Sequence, residues 1–346
     1  MDNTRVILDC YGGDNCPKAA VEGAVDALKK DDTISVVLTG KRQEIESLLA
    51  TCEYDSTRLE IIDADEVITN DDSPAMAIRR KKNSSMVVGL RYLADGGADA
   101  MVSSGNTGAL LTGASVIVKL IDGVTRASLS AVSPQVDDGK YVVIVDGGAN
   151  VDCKPNMLLE FAVMGEALMK SCYGVENPRV ALLSNGAEEE KGNALTKEAH
   201  ALLKESNLNF VGNIEARYLM NDLADVVVTD GWSGNMVIKA SEGMALNMFE
   251  LIKRNIKSGG LRAKLGYLML KPALRGVKKK FNSDEIGGGI FLGVNKVVMK
   301  AHGSSSAKAF CNAILACAQA VRNGTIDNIR QGLADNSHLK REDNKA

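Results

Sequence analysis

Ser103-Ser104-Gly105-Asn106-Thr107-Gly108 gathers the residue types that a bound oxyanion requires. Its two glycines let successive backbone N–H groups turn toward one point, and Ser104, Asn106 and Thr107 add side-chain donors. A helical pattern from Gly108 to Leu120 follows at once, so the positive end of its dipole faces the loop. Two further loops have the same form, Asp230-Gly231-Trp232-Ser233-Gly234-Asn235 and Lys300-Ala301-His302-Gly303-Ser304-Ser305-Ser306. Each leads into a helix, the first from Met236 onward. A fourth turn, Glu188 to Asn193, offers Lys191 as a charged donor to phosphate. The chain has no G-x-S-x-G elbow, no G-x-x-x-x-G-K-[ST] phosphate loop and no H-E-x-x-H helix. The chemistry implied is anion binding and positioning, with His302 available as a base and with neither a covalent nucleophile nor a metal cage.

The elements that must position these loops are short apolar runs alternating with helices. Val6-Ile7-Leu8, Ile34 to Leu38, Ala100 to Val102, Val142 to Val145, Val180 to Leu183 and Val226 to Val228 lack polar alternation. They therefore read as strands buried on both faces of a parallel sheet. Helices are expected over Pro17–Lys30, Pro74–Asp95, Pro155–Ser171 and Asn193–Ser206, three of them opened by proline. This pattern gives a doubly wound α/β sandwich of three layers, in which ligands sit at the carboxyl ends of the strands. Residues 1–334 form one catalytic domain, and 335–346 a charged flexible tail.

A formal net charge of -3 provides no global attraction for polyanions, and a single tryptophan leaves few stacking platforms, so nucleic acid is not expected as a partner. The seven cysteines form no C-x-x-C pair and only three histidines are present, which argues against zinc and for reduced, apolar-filling thiols in a cytoplasmic protein. No apolar stretch is long enough to span a bilayer. Between Lys253 and Lys280, however, ten basic residues occur with no acidic one, and Leu261, Leu265, Leu268 and Met269 recur at helical spacing. A basic amphipathic hairpin at about 250–282 is therefore expected. It suits a dimer interface, an anionic membrane surface or an acidic protein, with Arg262, Lys264, Lys271, Lys278 and Lys279 on its charged side.

From about Val6 to Val321 the chain resembles the PlsX family of bacterial phosphate acyltransferases. The residues carrying the likeness include Asp9-x-x-Gly12-Gly13-Asp14, Arg79 to Met86, Ser103-x-Gly105-Asn106-Thr107-Gly108 and Asp146-x-Gly148-Ala149-Asn150. Lys191-Gly192-Asn193, Asn213 to Arg217, Asp225 to Gly231, Gly234-Asn235 and Lys300-Ala301-His302-Gly303-Ser304-Ser305 complete it. The family pattern is broken at Cys10-Tyr11, at Asn15-Cys16 where His-Ala is usual, at Gly147, at Asn185 to Glu188 and at Trp232-Ser233.

The resemblance implies a fold similar to isocitrate and isopropylmalate dehydrogenases and phosphotransacetylase. It further implies a homodimer, peripherally bound to the membrane, that moves a long-chain acyl group from acyl carrier protein to inorganic phosphate without a cofactor. The acyl phosphate would pass to a glycerol-3-phosphate acyltransferase at the start of phospholipid synthesis. On this reading Lys191 and the Ser104–Gly108 loop hold phosphate together with Gly234 and Ser305, Asn235 with neighbouring amides stabilises the tetrahedral oxyanion, and His302 and Ser304 bind phosphate or orient the thioester. A phosphotransacetylase-like enzyme acting on short acyl-CoA is the alternative. A decarboxylating dehydrogenase would need Asp222, Asp225 and Asp230 for Mg²⁺, and a membrane-docked scaffold would need no chemistry at all.

Overall fold

A computed structural model describes residues 3–281 and 283–339. Eleven strands form one sheet: β1 (Thr4–Asp9), β2 (Ile34–Gly40), β3 (Leu59–Asp63), β4 (Ala100–Ser103), β5 (Ser128–Pro134), β6 (Tyr141–Val145), β7 (Val180–Ser184), β8 (Phe210–Glu215), β9 (Val226–Val228), β10 (Gly288–Leu292) and β11 (Val297–Ala301). Their spatial order is β3-β2-β1-β4-β11-β10-β5-β6-β9-β7-β8.

The apolar runs fill both faces, as their lack of alternation requires. Val6, Leu8, Val36, Leu38, Ala100, Val102, Val143, Val145, Val180, Leu182, Val226 and Val228 join one core. That core is shared with the helices Lys18–Lys30, Pro155–Tyr173 and Ala307–Arg322. The intervening residues Ile7, Val37 and Met101 turn to the other face, as do Val142, Ile144, Ala181 and Val227 farther along the sheet. The result is the expected three-layer α/β sandwich.

Two features depart from the sequence reading. The sheet is mixed: β10 is antiparallel to both β11 and β5, and β5 is antiparallel to β6. Strands β1 to β4 and β11 therefore run one way, and β6 to β9 the other. The polar sequence of β5, Ser-Leu-Ser-Ala-Val-Ser-Pro, hides it from a search for apolar runs. The helical segments also differ in detail. Pro74–Asp95 is two helices, Pro74–Arg80 and Ser85–Ala94: the first ends where Lys81 leaves helical backbone, and Ser84 caps the second by accepting from Val87 N. The helix after Ser103–Asn106 runs from Thr107 to Gly113 and widens to a π-turn over Ala114–Lys119.

The hairpin consists of Gly231–Ser258 and Gly260–Lys280, longer than the 250–282 segment, and turns at Gly259 and Gly260, where Gly260 has φ +72°. At the carboxyl end, Asp335 closes a helix from Thr325 and a short turn follows over Ser337–Leu339. The tail from 340 to 346 lies outside the described residues.

Candidate functional site

The sheet's register places the first cluster. Asp9, Ser103 and Lys300 are successive partners across β1, β4 and β11, at the carboxyl ends of three parallel strands. Partners in register send their side chains to the same face. Ser103 Oγ donates to Asp9 Oδ2 at 2.7 Å and accepts from Gly105 N at 3.1 Å. Asp9 Oδ1 accepts from Tyr11 N at 3.2 Å. Burial raises the Asp9 carboxyl above its ordinary range, against the pull of hydrogen bonds from Ser85, Ser103 and Tyr11.

Backbone contact then ties the three loops of this end together. A Cβ on Gly12, whose φ is +90°, would meet Gly105 Cα at 2.6 Å, and one on Gly13 would meet Ser104 Oγ at 2.4 Å. Asp14 N donates to Gly303 O at 2.8 Å. Asn15 Nδ2 donates to Ser304 O at 3.1 Å and Ser305 O at 3.2 Å. The departure from His at position 15 thus leaves an amide that staples the first loop to the last.

Within this cluster the expected donors take distinct parts. Asn106 Oδ1 caps the helix by accepting from Ala109 N at 2.9 Å. Its Nδ2 donates to Thr69 O at 3.2 Å and Asn70 O at 3.4 Å, so this side chain fixes the loop and is not a spare donor. Gly105 N is likewise taken by Ser103. The amides of Thr107 and Gly108 head the helix, where no intrahelical partner exists. His302 Nδ1 accepts from Ser304 N at 3.3 Å and lies 2.8 Å from Ser304 Oγ, which leaves Nε2–H as the outward donor of the neutral ring. Ser305 Oγ is buried and has no hydrogen-bond partner.

Lys300 was not singled out from the sequence, where it read only as the start of a loop. Its Nζ donates to Ser104 O at 3.1 Å and to Ala301 O. Burial lowers its pKa to about 8, with Asp9, Asp14 and Cys16 favouring the charged form and Lys239 opposing it. Cys16 Sγ lies 3.5 Å from Ser104 Oγ, and burial pushes its thiol up.

Lys191, Gly234 and Asn235 belong to the other half. Because β7 and β9 run against β4 and β11, these residues lie at the opposite ends of the strands from Ser104–Gly108 and His302. Among the described residues, no hydrogen bond or ion pair joins the two groups. The turn after Asp230 is also not a loop: Asp230 caps a helix that starts at Gly231, accepting from Ser233 N at 2.8 Å. Gly234 and Asn235 are its first turn. A Cβ on Gly234 would stand 2.0 Å from Asp146 O, and Asn235 packs against Gly148. Asp146, wholly buried, organises this end by accepting from Leu129 N, Gly148 N, Ala149 N and Asn150 N at 2.7–3.1 Å. Lys191 is exposed beside Gly186. The same helix from Gly231 nevertheless brings Lys239 within electrostatic reach of Lys300, so one element carries Asn235 at its start and Lys239 toward the first cluster.

Asp222 and Asp225 are engaged by Arg179, at 2.5 Å and 2.9 Å from its Nη2, and Asp230 is a cap, so these carboxylates are otherwise employed than as cation ligands. On the hairpin, Leu265 and Leu268 are exposed, as are Arg262 and Lys264, while Lys271 is half-buried. Lys278 is exposed, and the side chain of Lys279 lies outside the described residues. Lys280 Nζ instead anchors the hairpin to Val136 O at 2.6 Å and Asp138 at 2.9 Å. Among the described residues no helix is long and apolar enough to cross a membrane.

A family model described as fatty acid synthesis protein matches residues 4–328. A phosphate acyltransferase of Clostridium acetobutylicum is 46% identical over 330 residues, covering 95% of this chain and 99% of the relative. One from Clostridium tetani is 43% identical over 333 residues, covering 96% and 98%. In fold, a phosphotransacetylase from Streptococcus pyogenes superposes with TM-score 0.59 at 20% identity, over 92% of this chain and 94% of that one. A branched-chain phosphotransacylase from Enterococcus faecalis gives 0.56 at 16% identity, over 92% and 99%.

Proposed function

The chain belongs to the fatty acid synthesis protein family, and we propose that it transfers a long-chain acyl group from acyl carrier protein to inorganic phosphate, releasing acyl phosphate. The observation that carries this reading is the near full-length likeness, at 46% and 43% identity, to two phosphate acyltransferases.

The geometry suits the chemistry. Phosphate, with a second pKa of about 6–7, already carries a substantial dianionic, nucleophilic fraction at neutral pH. A thiol of pKa about 8.5 leaves without strong acid assistance. The enzyme then has to hold phosphate, hold the thioester against it, and supply donors to the tetrahedral oxyanion. Helix-heading amides at Thr107 and Gly108, the His302 Nε2–H and the buried Ser305 hydroxyl supply donors at one end. Lys239 approaches that end on the helix from Gly231, whose first turn carries Asn235.

The finer parts of the proposal are a cytoplasmic homodimer held peripherally at the membrane through the hairpin, and a glycerol-3-phosphate acyltransferase that consumes the product. The hairpin supports the membrane contact by its exposed apolar residues on a strongly basic pair of helices. The test is phosphate-dependent release of carrier-protein thiol from palmitoyl acyl carrier protein, with acyl phosphate trapped as its hydroxamate. Turnover of acetyl-CoA in preference to palmitoyl carrier protein would replace this reading with a short-chain phosphotransacetylase.

A further inference from the structure

An anion site built from neutral donors alone lacks a fixed countercharge, and the exposed Lys191 lies at the other ends of the strands. Lys300 occupies the place such a charge requires. It stands in register with Ser103 on β4 and with Gly289 on β10. Its register partner on the β10 side therefore carries no side chain. Two of its three N–H donors are held by Ser104 O and Ala301 O, which fixes the ammonium under the Ser103–Gly108 loop and leaves one donor over. On the loop that follows the same strand, Ser305 Oγ is buried without a partner. A buried hydroxyl is ordinarily hydrogen-bonded, so one left unpaired needs a further group to satisfy it.

We propose that the Lys300 ammonium is the fixed positive charge of the phosphate subsite, and that its remaining N–H and the Ser305 hydroxyl each take a phosphate oxygen. This rests on phosphate being the acceptor substrate. The charged and titratable groups facing Lys300 are Asp9 on β1, Asp14 and Cys16 on the first loop, and Lys239 on the helix from Gly231. Withdrawn from water, the ammonium attracts a dianion more strongly than an exposed lysine does. Its pKa of about 8 means that the charge fades within the working range of pH.

The experiment measures binding of inorganic phosphate to the full chain by ³¹P line broadening, alongside turnover of palmitoyl carrier protein. Lys300→Met should weaken phosphate binding at least tenfold at pH 7, whereas Lys300→Arg should stay within about threefold of wild type. Wild-type affinity should fall between pH 7 and pH 9, and that of Lys300→Arg should not. Ser305→Ala should keep wild-type thermal stability, because the hydroxyl has no protein partner to lose, and should still weaken phosphate binding. A folded Lys300→Met protein with wild-type phosphate affinity overturns the proposal, as does a wild-type chain that binds no phosphate. If phosphate binds as described but no thioester is turned over, the acyl-transfer reading fails and the Lys300 subsite stands.

Discussion

Ser103 Oγ reaches Asp9 Oδ2 at 2.7 Å, joining the ends of two parallel strands through a carboxyl that burial has already raised above its ordinary range. A carboxyl whose pKa is higher in the folded chain than in the unfolded one destabilises the fold increasingly as pH rises through the interval between the two values. The Ser103 bond opposes that cost. Ser103→Ala removes it and also frees Gly105 N, so roughly 1–3 kcal/mol of stability should be lost at neutral pH. The deficit should shrink in acid, where Asp9 is protonated in both states. Urea denaturation at pH 7 and about pH 3, below the unfolded value of 3.8, reads both numbers, and equal deficits would exclude the mechanism.

Asp31 behaves in the opposite sense. Burial works against its ionisation, but bonds from Arg322, Thr33 Oγ1 and Thr33 N prevail and bring it down to about 2. The Arg322 guanidinium lies 2.8 Å from Asp31 Oδ2, tying the end of the helix Ala307–Arg322 to the turn before β2. A depressed carboxyl contributes stability that is present above the unfolded value of 3.8 and is lost as pH falls toward 2. Since the pair is partly exposed, Asp31→Asn should cost only about 1 kcal/mol at pH 7. The difference from wild type should close between pH 4 and pH 2, as followed by far-ultraviolet circular dichroism.

Much of this was legible from local pattern. Val6-Ile7-Leu8 and Val226-Val227-Val228 have no polar face, and the structure buries both their faces. Ser103–Gly108 and His302–Ser305 announced themselves through residue type and do meet. Strand polarity was not legible, because β5 is largely polar, β10 opens on two glycines, and the pairing of β10 with β5 joins residues over a hundred positions apart. Without that polarity, Lys191 and Asn235 read as neighbours of Ser104. Lys300 was hidden for a different reason: its role comes from register across β11, β4 and β1, which no local window contains.

Glycine 234 should be irreplaceable and glycine 243, on the same helix, should not. A Cβ at Gly234 would lie 2.0 Å from Asp146 O, whereas one at Gly243 would meet nothing within 4 Å. Gly234→Ala must push the helix start off the Asp146 turn, and a loss of more than about 3 kcal/mol is expected. Gly243→Ala should instead stabilise by about 0.5–1 kcal/mol through helix propensity. Calorimetric melting of the two variants gives shifts of opposite sign if the packing at Asp146 is as described.

Asn235 and Lys191, at the same ends of the strands, should divide kinetically. If Asn235 stabilises the oxyanion, Asn235→Ala should lower kcat on palmitoyl carrier protein by about a hundredfold, roughly 3 kcal/mol, with little change in KM for phosphate. Lys191 is exposed, whereas Asn235 packs against Gly148 on the helix that carries Lys239, so Lys191→Ala should act less strongly, and on KM first. Equal losses in kcat for both variants would place Lys191 at the reacting atoms after all.

The hairpin poses the remaining question, because its apolar side chains face water in the single chain. Leu261 is 76% and Met269 84% exposed, on a helix that also carries Arg262, Lys264, Lys271, Arg275 and Lys278. Burying one such side chain contributes about 1.5–3 kcal/mol, and a basic residue near an anionic lipid surface about 1 kcal/mol. Leu261→Glu with Met269→Glu removes two apolar contacts and adds two negative charges. Co-sedimentation with vesicles containing phosphatidylglycerol should therefore fall at least tenfold, and more steeply at low salt. Lys278→Gln should weaken binding moderately and leave the fold untouched. Lys280→Gln should loosen the hairpin itself, since Lys280 holds it to Val136 and Asp138. Turnover of soluble palmitoyl carrier protein separates the partners: unchanged turnover in the glutamate variant assigns this face to lipid. A parallel collapse in turnover, with the variant still folded, assigns it to the acidic carrier.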